Sequence, residues 1–112
     1  MSDCLFCKII AGDIPSNKIY EDEFVYAFYD IDPQAPVHFL VIPKHHITSA
    51  AEIGADNSAY AAKCLEAIAK ITADLGLKSF RIVSNIGEQA GQSVFHLHFH
   101  VLSGRDFTWP PG

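Results

Sequence analysis

Three histidines alternate with apolar residues in the run His96-Leu97-His98-Phe99-His100. Successive side chains of a strand point to opposite faces, so His96, His98 and His100 would share one face. Leu97, Phe99 and Val101 would share the other and pack on a core. The imidazoles would then stand about 7 Å apart along the strand. A solvated face more naturally carries Thr, Lys or Glu, so this alternation points to chemistry. Two chemistries suit it. One is metal binding, because neutral imidazole is the commonest metal ligand. The other is nucleophilic and acid–base work near neutral pH, because the unperturbed imidazole pKa is about 6.5.

The preceding segment helps to choose between them. Asn85-Ile86-Gly87-Glu88-Gln89-Ala90-Gly91-Gln92-Ser93 is rich in small and polar residues. Glycines let backbone N–H groups approach an anion, and Asn85 and Ser93 add donors. A metal site would call for carboxylates or a cage. A donor-rich loop beside imidazoles suits a phosphate.

A second motif is Cys4-Leu5-Phe6-Cys7. A redox CxxC follows a strand and opens a helix in a βαβ unit, and no strand is expected before Cys4. Two readings remain: a pair of inert thiols, or half of a zinc site that needs two further ligands. The third cysteine, Cys64, falls on an apolar helix face and reads as a small core residue.

The elements that position these motifs follow from periodicity. Leu5, Phe6 and Ile9 set a short helix over Cys4 to Ala11, ended by Gly12. Lys18 to Glu21 and Phe24 to Tyr29 read as strands around a Glu21-Asp22-Glu23 turn. Asp30 to Pro36 is a loop punctuated by prolines and aspartates. Val37 to Ile42 is a buried strand that Pro43 stops. The longest helix is expected from Asn57 to Leu75, with Cys64, Leu65, Ile68, Ile71 and Leu75 on one face. Asp56 is its expected cap, and Gly76 its left-handed end. Phe80 to Ser84 and Phe95 to Leu102 complete the strands. Short connections favour antiparallel pairing with one long helix laid on the sheet, an α+β fold.

Length and composition bound the rest. The 112 residues suit one domain over 1–112, with a core that needs no disulfide staples. A net charge of −5 with no basic block argues against an extended nucleic-acid groove, though not against a single nucleotide. Met1-Ser2-Asp3-Cys4 lacks the features of a signal peptide, and no stretch approaches a membrane span. Three cysteines, an odd number, suit reduced thiols in the cytoplasm.

The run His96-Leu97-His98-Phe99-His100-Val101-Leu102 resembles the signature of the histidine-triad (HIT) family, three histidines alternating with apolar residues. The likeness extends along most of the chain. Phe28-Tyr29-Asp30-Ile31, Pro33-Gln34-Ala35-Pro36, His38 to Lys44, Gly91-Gln92-Ser93-Val94 and the ending Trp109-Pro110-Pro111-Gly112 resemble its Hint branch. That resemblance implies a homodimer whose sheets join into one. It implies hydrolysis of purine nucleoside phosphoramidates, such as adenosine 5′-phosphoramidate, and of lysyl-adenylate, without a catalytic cofactor. A covalent nucleotidyl-histidine intermediate would form, and the nucleoside monophosphate would be released. By family position His98 is the nucleophile, His100 orients the phosphate, and Ser93 helps to protonate the leaving nitrogen. Asn85, Gly91 and the Ser93-Val94 backbone lie at the phosphate.

Asp30 matches the residue that takes the ribose hydroxyls, and otherwise reads as a turn residue. Leu5, Phe6, Phe28 and Ile31 would form the apolar base slot, or plain core. His38 alternates with Leu40 and Ile42 and lies near the nucleophile by family position, or is a satisfied core histidine. The tail from Phe107 to Gly112 would cross the dimer to the partner's leaving-group pocket. Other branches of the superfamily carry a structural zinc, and the matching residues here are Cys4, Cys7, His46 and His96. The rival functions are a dinucleoside polyphosphate hydrolase and a nucleotide-binding regulatory module.

Overall fold

The computed structural model describes residues 3–112. Helix α1, Leu5–Ala11, opens on Cys4, whose sulfur accepts the Cys7 backbone N–H at 3.4 Å. It closes with Asp13 N–H donating to Lys8 O at 2.9 Å and Gly12 N–H donating to Ile9 O at 3.1 Å. These are the paired bonds that satisfy the last carbonyls of a helix. Strands β1, Lys18–Glu21, and β2, Val25–Tyr29, form a hairpin. Asp22 organises its turn: one carboxylate oxygen accepts the N–H groups of Phe24 and Val25, each at 2.8 Å. Strand β3 is Val37–Pro43, helix α2 is Ser58–Asp74, and β4 and β5 are Arg81–Val83 and Phe99–Ser103. The sheet order is β1-β2-β3-β5-β4, with every neighbouring pair antiparallel. This is the expected α+β architecture, one five-stranded antiparallel sheet with one long and one short helix.

Alternation divides the sheet residues between two faces. Val25, Ala27, Phe39, Val41 and Val101 pack against Cys64, Ala67, Ile68 and Ile71 of α2. Tyr26, Phe28, Leu40 and Ile42 pack against Phe6 and Ile9 of α1. Leu40 lies opposite His100 in the β3–β5 register, so His100 emerges on the α1 face. Among the described residues no helix is long and apolar enough to cross a membrane.

Several boundaries differ from expectation. The last strand begins at Phe99, not at Phe95. The residues before it leave the ladder, and Leu97 N–H donates instead to Ile47 O at 2.6 Å. Only His100 of the three alternating histidines is therefore on a strand. The cap of α2 is Asn57, not Asp56, and its side chain makes no hydrogen bond to the helix. Asn57 is spent on the preceding turn, accepting from Gly54 N–H at 2.8 Å and donating to Glu52 O at 3.1 Å. The other end of α2 follows expectation. Gly76 is left-handed at φ 72, and Leu77 N–H reaches back to Thr72 O at 2.9 Å. Strand β4 is shorter than Phe80 to Ser84, because the Ser84 hydroxyl turns to donate to His98 O at 2.9 Å.

Candidate active site

A cleft of about 330 Å³ opens on the α1 face of the sheet. Helix α1 contributes Leu5, Phe6 and Ile9 to its wall, and the sheet contributes Phe28, Leu40 and His100. Asp30 and Ile31 follow β2 at one rim, and Ser93, Val94 and His98 form another. Phe6 meets His98 edge-on, with ring centroids 5.1 Å apart, and meets Phe28 at 5.5 Å. The His98 and His100 rings stand 5.0 Å apart, closer than an extended strand would hold them, because the chain before Phe99 is not in the sheet.

Hydrogen bonding settles the proton on each ring. His98 Nδ1 lies 2.7 Å from His96 O. A carbonyl only accepts, so Nδ1 carries the proton and Nε2 keeps its lone pair. His38 Nδ1 accepts the Gln34 backbone N–H at 3.0 Å, so the neutral ring carries its proton on Nε2. That Nε2 lies 2.9 Å from His100 Nδ1 and donates to it. His100 therefore carries its own proton on Nε2. The two rings lining the cleft thus differ: His98 offers a bare nitrogen and His100 an N–H donor. Asp30 sits beside this chain, with one oxygen 3.4 Å from His38 Nε2 and 3.8 Å from His100 Nδ1. Its other oxygen accepts Asp32 N–H at 2.8 Å.

Burial favours the neutral form of His98 and His100. Desolvation holds His98 below the ordinary imidazole value, partly offset by its bond to the His96 carbonyl. Desolvation pushes His100 down to about 4, and the neighbouring His98 and His38 add to the shift.

Of the residues expected at a nucleotide, Leu5, Phe6, Phe28, Asp30, Ile31, Ser93, Val94, His98 and His100 all line the cleft. His38 is buried behind His100 rather than in the wall. Asn85 and Gly91 lie next to each other but do not line the cleft: a Cβ on Gly91 would sit 3.5 Å from Asn85 Nδ2. Sequence reasoning missed Ile9, Ile14, Pro15, Ser16, Tyr29 and Leu40 as lining residues. Ile9 is four positions after Leu5, and Leu40 two after His38, so spacing carried a signal for those two. It also missed Gln92, which is buried and holds the preceding loop. Gln92 Nε2 donates to Thr48 O at 2.8 Å and Val94 O at 3.1 Å, while its oxygen accepts Gly87 N–H at 2.9 Å. A glutamine in a polar loop carries no sequence signal for that role.

His96 faces a different group. Its Nε2 donates to Pro43 O at 2.8 Å, which leaves Nδ1 as a lone pair. That nitrogen lies 3.4 Å from Cys4 Sγ, 3.5 Å from Cys7 Sγ and 3.1 Å from His46 Nδ1. Cys7 Sγ lies 3.4 Å from His46 Nδ1. All four donor atoms fall within 4.8 Å of one another. Tetrahedral zinc with ordinary bond lengths spaces such donors about 3.3–3.8 Å apart, so two thiols and two imidazoles fit that ion. Burial and the adjacent Cys4 push the Cys7 thiol up to about 11, which is the state of a sulfur without a cation.

An antiparallel five-stranded sheet, one long helix on one face and a histidine-lined cleft on the other define the class of HIT-domain proteins. The chain belongs to the HIT domain family, whose profile matches residues 11–107. It is 45% identical over 111 residues to a HIT-like protein of Synechocystis, covering 98% of this chain and 97% of that one. A HIT family hydrolase from Legionella pneumophila superposes with a TM-score of 0.95 at 45% identity, covering 98% of this chain and 100% of the other. A histidine triad nucleotide-binding protein from Candida albicans superposes at 0.85 with 37% identity, covering 96% and 83%.

Proposed function

We propose that the chain hydrolyses nucleoside 5′-phosphoramidates and aminoacyl-adenylate-type substrates, as a member of the Hint branch. The observation that carries this reading is the His98 Nδ1–H bond to His96 O, which leaves Nε2 bare at the cleft. In the first step Nε2 attacks the α-phosphorus, and the bond to the leaving group, P–N for an amine or P–O for an aminoacyl carboxylate, breaks as the P–Nε2 bond forms. A departing nitrogen takes a proton relayed from solvent by the Ser93 hydroxyl, and the water that attacks in the second step returns one to solvent. In the second step water attacks phosphorus, the P–Nε2 bond breaks, and the nucleoside monophosphate leaves. His98 keeps its Nδ1 proton throughout, so the His96 carbonyl supports the positive charge of the phosphorylated ring. His100 donates from Nε2 to a phosphate oxygen, with the Ser93-Val94 backbone beside it. Asp30 accepts from the ribose hydroxyls, and Leu5, Phe6, Phe28 and Ile31 hold the base.

Cys4, Cys7, His46 and His96 would hold a zinc ion in this reading, in a structural part. Those ligands would tie α1, which carries the cleft residues Leu5 and Phe6, to the sheet, and His98 would stay out of the ligand set. The working form is a cytoplasmic homodimer with the sheets joined. The open edge of β4 and the half-exposed Ile82 support that assembly. The tail is held nearby: Arg81 donates to Thr108 O at 3.1 Å, and Phe107 lies under the guanidinium groups of Arg81 and Arg105.

The test is steady-state hydrolysis of a fluorogenic adenosine phosphoramidate by the wild type and His98→Ala, with chelator present. Activity lost in the variant alone supports a metal-independent histidine nucleophile. A variant as active as the wild type refutes it. An inactive wild type that cleaves diadenosine polyphosphates would move the assignment to that reaction.

A further inference from the structure

One polar feature of the cleft has no part in the scheme above. Away from the histidines the lining is apolar, from Leu5, Phe6, Ile9, Ile14, Phe28 and Leu40, with the Ser16 hydroxyl among them. Ser16 Oγ lies 2.6 Å from Tyr26 Oη. Tyr26 is buried in the α1-face core beside Phe28, with ring centroids 5.8 Å apart, and its hydroxyl makes no other described hydrogen bond. A core needing only apolar bulk would take phenylalanine there, whereas a buried tyrosine needs a partner for its hydroxyl. The aromatic row runs from His98 through Phe6 and Phe28 to Tyr26, so the hydroxyl pair lies at the end away from the nucleophile. The loop that carries Ser16 is fixed to β2, because Asn17 O accepts Tyr29 N–H at 3.0 Å.

Two paired hydroxyls hold two protons, and their mutual bond uses one. When Tyr26 donates to Ser16, the serine O–H is free; when Ser16 donates to Tyr26, a serine lone pair is free. Ser16 lines the cleft and Tyr26 does not, so the free group belongs to Ser16. We propose that Ser16 is the specificity residue that reads the hydrogen-bonding edge of the bound base, with Tyr26 as its positioning residue. Because the pair reverses, Ser16 meets a donor or an acceptor on a purine edge. An apolar slot holds any flat ring, and this hydroxyl is what separates a nucleobase from a merely hydrophobic one. The proposal rests on the nucleotide reading of the cleft, not on the hydrolytic scheme.

Equilibrium binding tests it. Adenosine monophosphate and an analogue with phenyl in place of adenine are titrated calorimetrically into the full chain and its variants. Ser16→Ala should weaken the natural nucleotide about three- to tenfold, the loss of one neutral hydrogen bond, and leave the phenyl analogue unchanged. Ser16→Thr keeps the hydroxyl and should retain wild-type affinity for both. Tyr26→Phe should weaken only the natural nucleotide, by less than Ser16→Ala does. Equal weakening of both ligands would make the pair a loop tether and overturn the proposal, as would no change in either. A wild type that binds no nucleotide overturns the cleft reading and the proposal together. Failure of hydrolysis alone leaves the binding ratios readable.

Discussion

Replacing His38 by phenylalanine tests the imidazole relay. His38 Nε2–H is the donor that holds the proton of His100 on its far nitrogen, across 2.9 Å. Phenylalanine keeps a flat ring among Leu40 and its neighbours but removes both nitrogens. The Gln34 N–H that loses its acceptor belongs to an exposed residue, so water replaces it and the stability change should stay within about 1 kcal/mol. The loss in activity has a floor and a ceiling. The floor is one neutral hydrogen bond to His100, about 0.5–1.5 kcal/mol, or roughly two- to twelvefold in kcat/KM. The ceiling is the whole charge-assisted bond from His100 to phosphate, about 1.5–3 kcal/mol, or roughly ten- to 150-fold. A fall of about tenfold is expected in steady-state phosphoramidate hydrolysis. Proton–nitrogen correlation spectra should show the His100 tautomer changing from pure Nε2–H to a mixture. Unchanged kcat/KM with an unchanged tautomer would refute the relay. A loss as complete as that of His98→Ala would also refute it, by placing His38 at the reacting atoms.

Other perturbations test other parts of the structure. Gly104→Ala should destabilise by about 1–3 kcal/mol in urea unfolding, from a left-handed backbone and a clash with the exposed Pro36 ring. Its φ is 96, and an added Cβ would lie 2.9 Å from Pro36 Cβ and 3.1 Å from Pro36 Cγ, both on a rigid ring. The double variant Cys4→Ser/Cys7→Ser should lose bound zinc by mass spectrometry and melt earlier, whereas Cys64→Ala should keep the metal; full metal content in the double variant would refute the ligand set. Stability should fall as pH drops from about 6.5 toward 4, because unfolded His100 takes a proton that the folded ring, at about 4, refuses. His100→Gln should flatten the dependence of the urea midpoint on pH across that window, and an unaltered slope would refute the buried neutral ring.

The α+β architecture was legible in the sequence for reasons that lie in local patterning. Cys64, Ile68 and Ile71 of α2, the apolar run of β3 and the glycine past Leu75 each report a local preference that tertiary packing did not oppose, whereas Leu65 and Leu75, expected on the same helix face, are exposed. The last strand was overextended because alternation alone carries no account of where ladder partners end. Leu97 N–H pairs with Ile47 O, a contact between segments 50 residues apart in sequence, and local pattern cannot report it. The same blindness placed the cap of α2 on Asp56 rather than Asn57, because the choice depends on which turn the side chain braces.

What the sequence determined by itself was the inventory and its spacing: three alternating histidines, a CxxC pair and a donor-rich loop. Residue chemistry and backbone period are local, and those suffice to propose an imidazole site beside an anion. The division of labour among the histidines was decided only by tertiary structure. Leaving the sheet before Phe99 turns His96 toward Cys4, Cys7 and His46, while His98 and His100 remain at the cleft. The protonated nitrogen of each ring depends on a carbonyl or imidazole brought from elsewhere: Pro43 O for His96, and His38, 62 residues away, for His100. A tautomer is set by the partner of a ring nitrogen, and that partner is a product of folding.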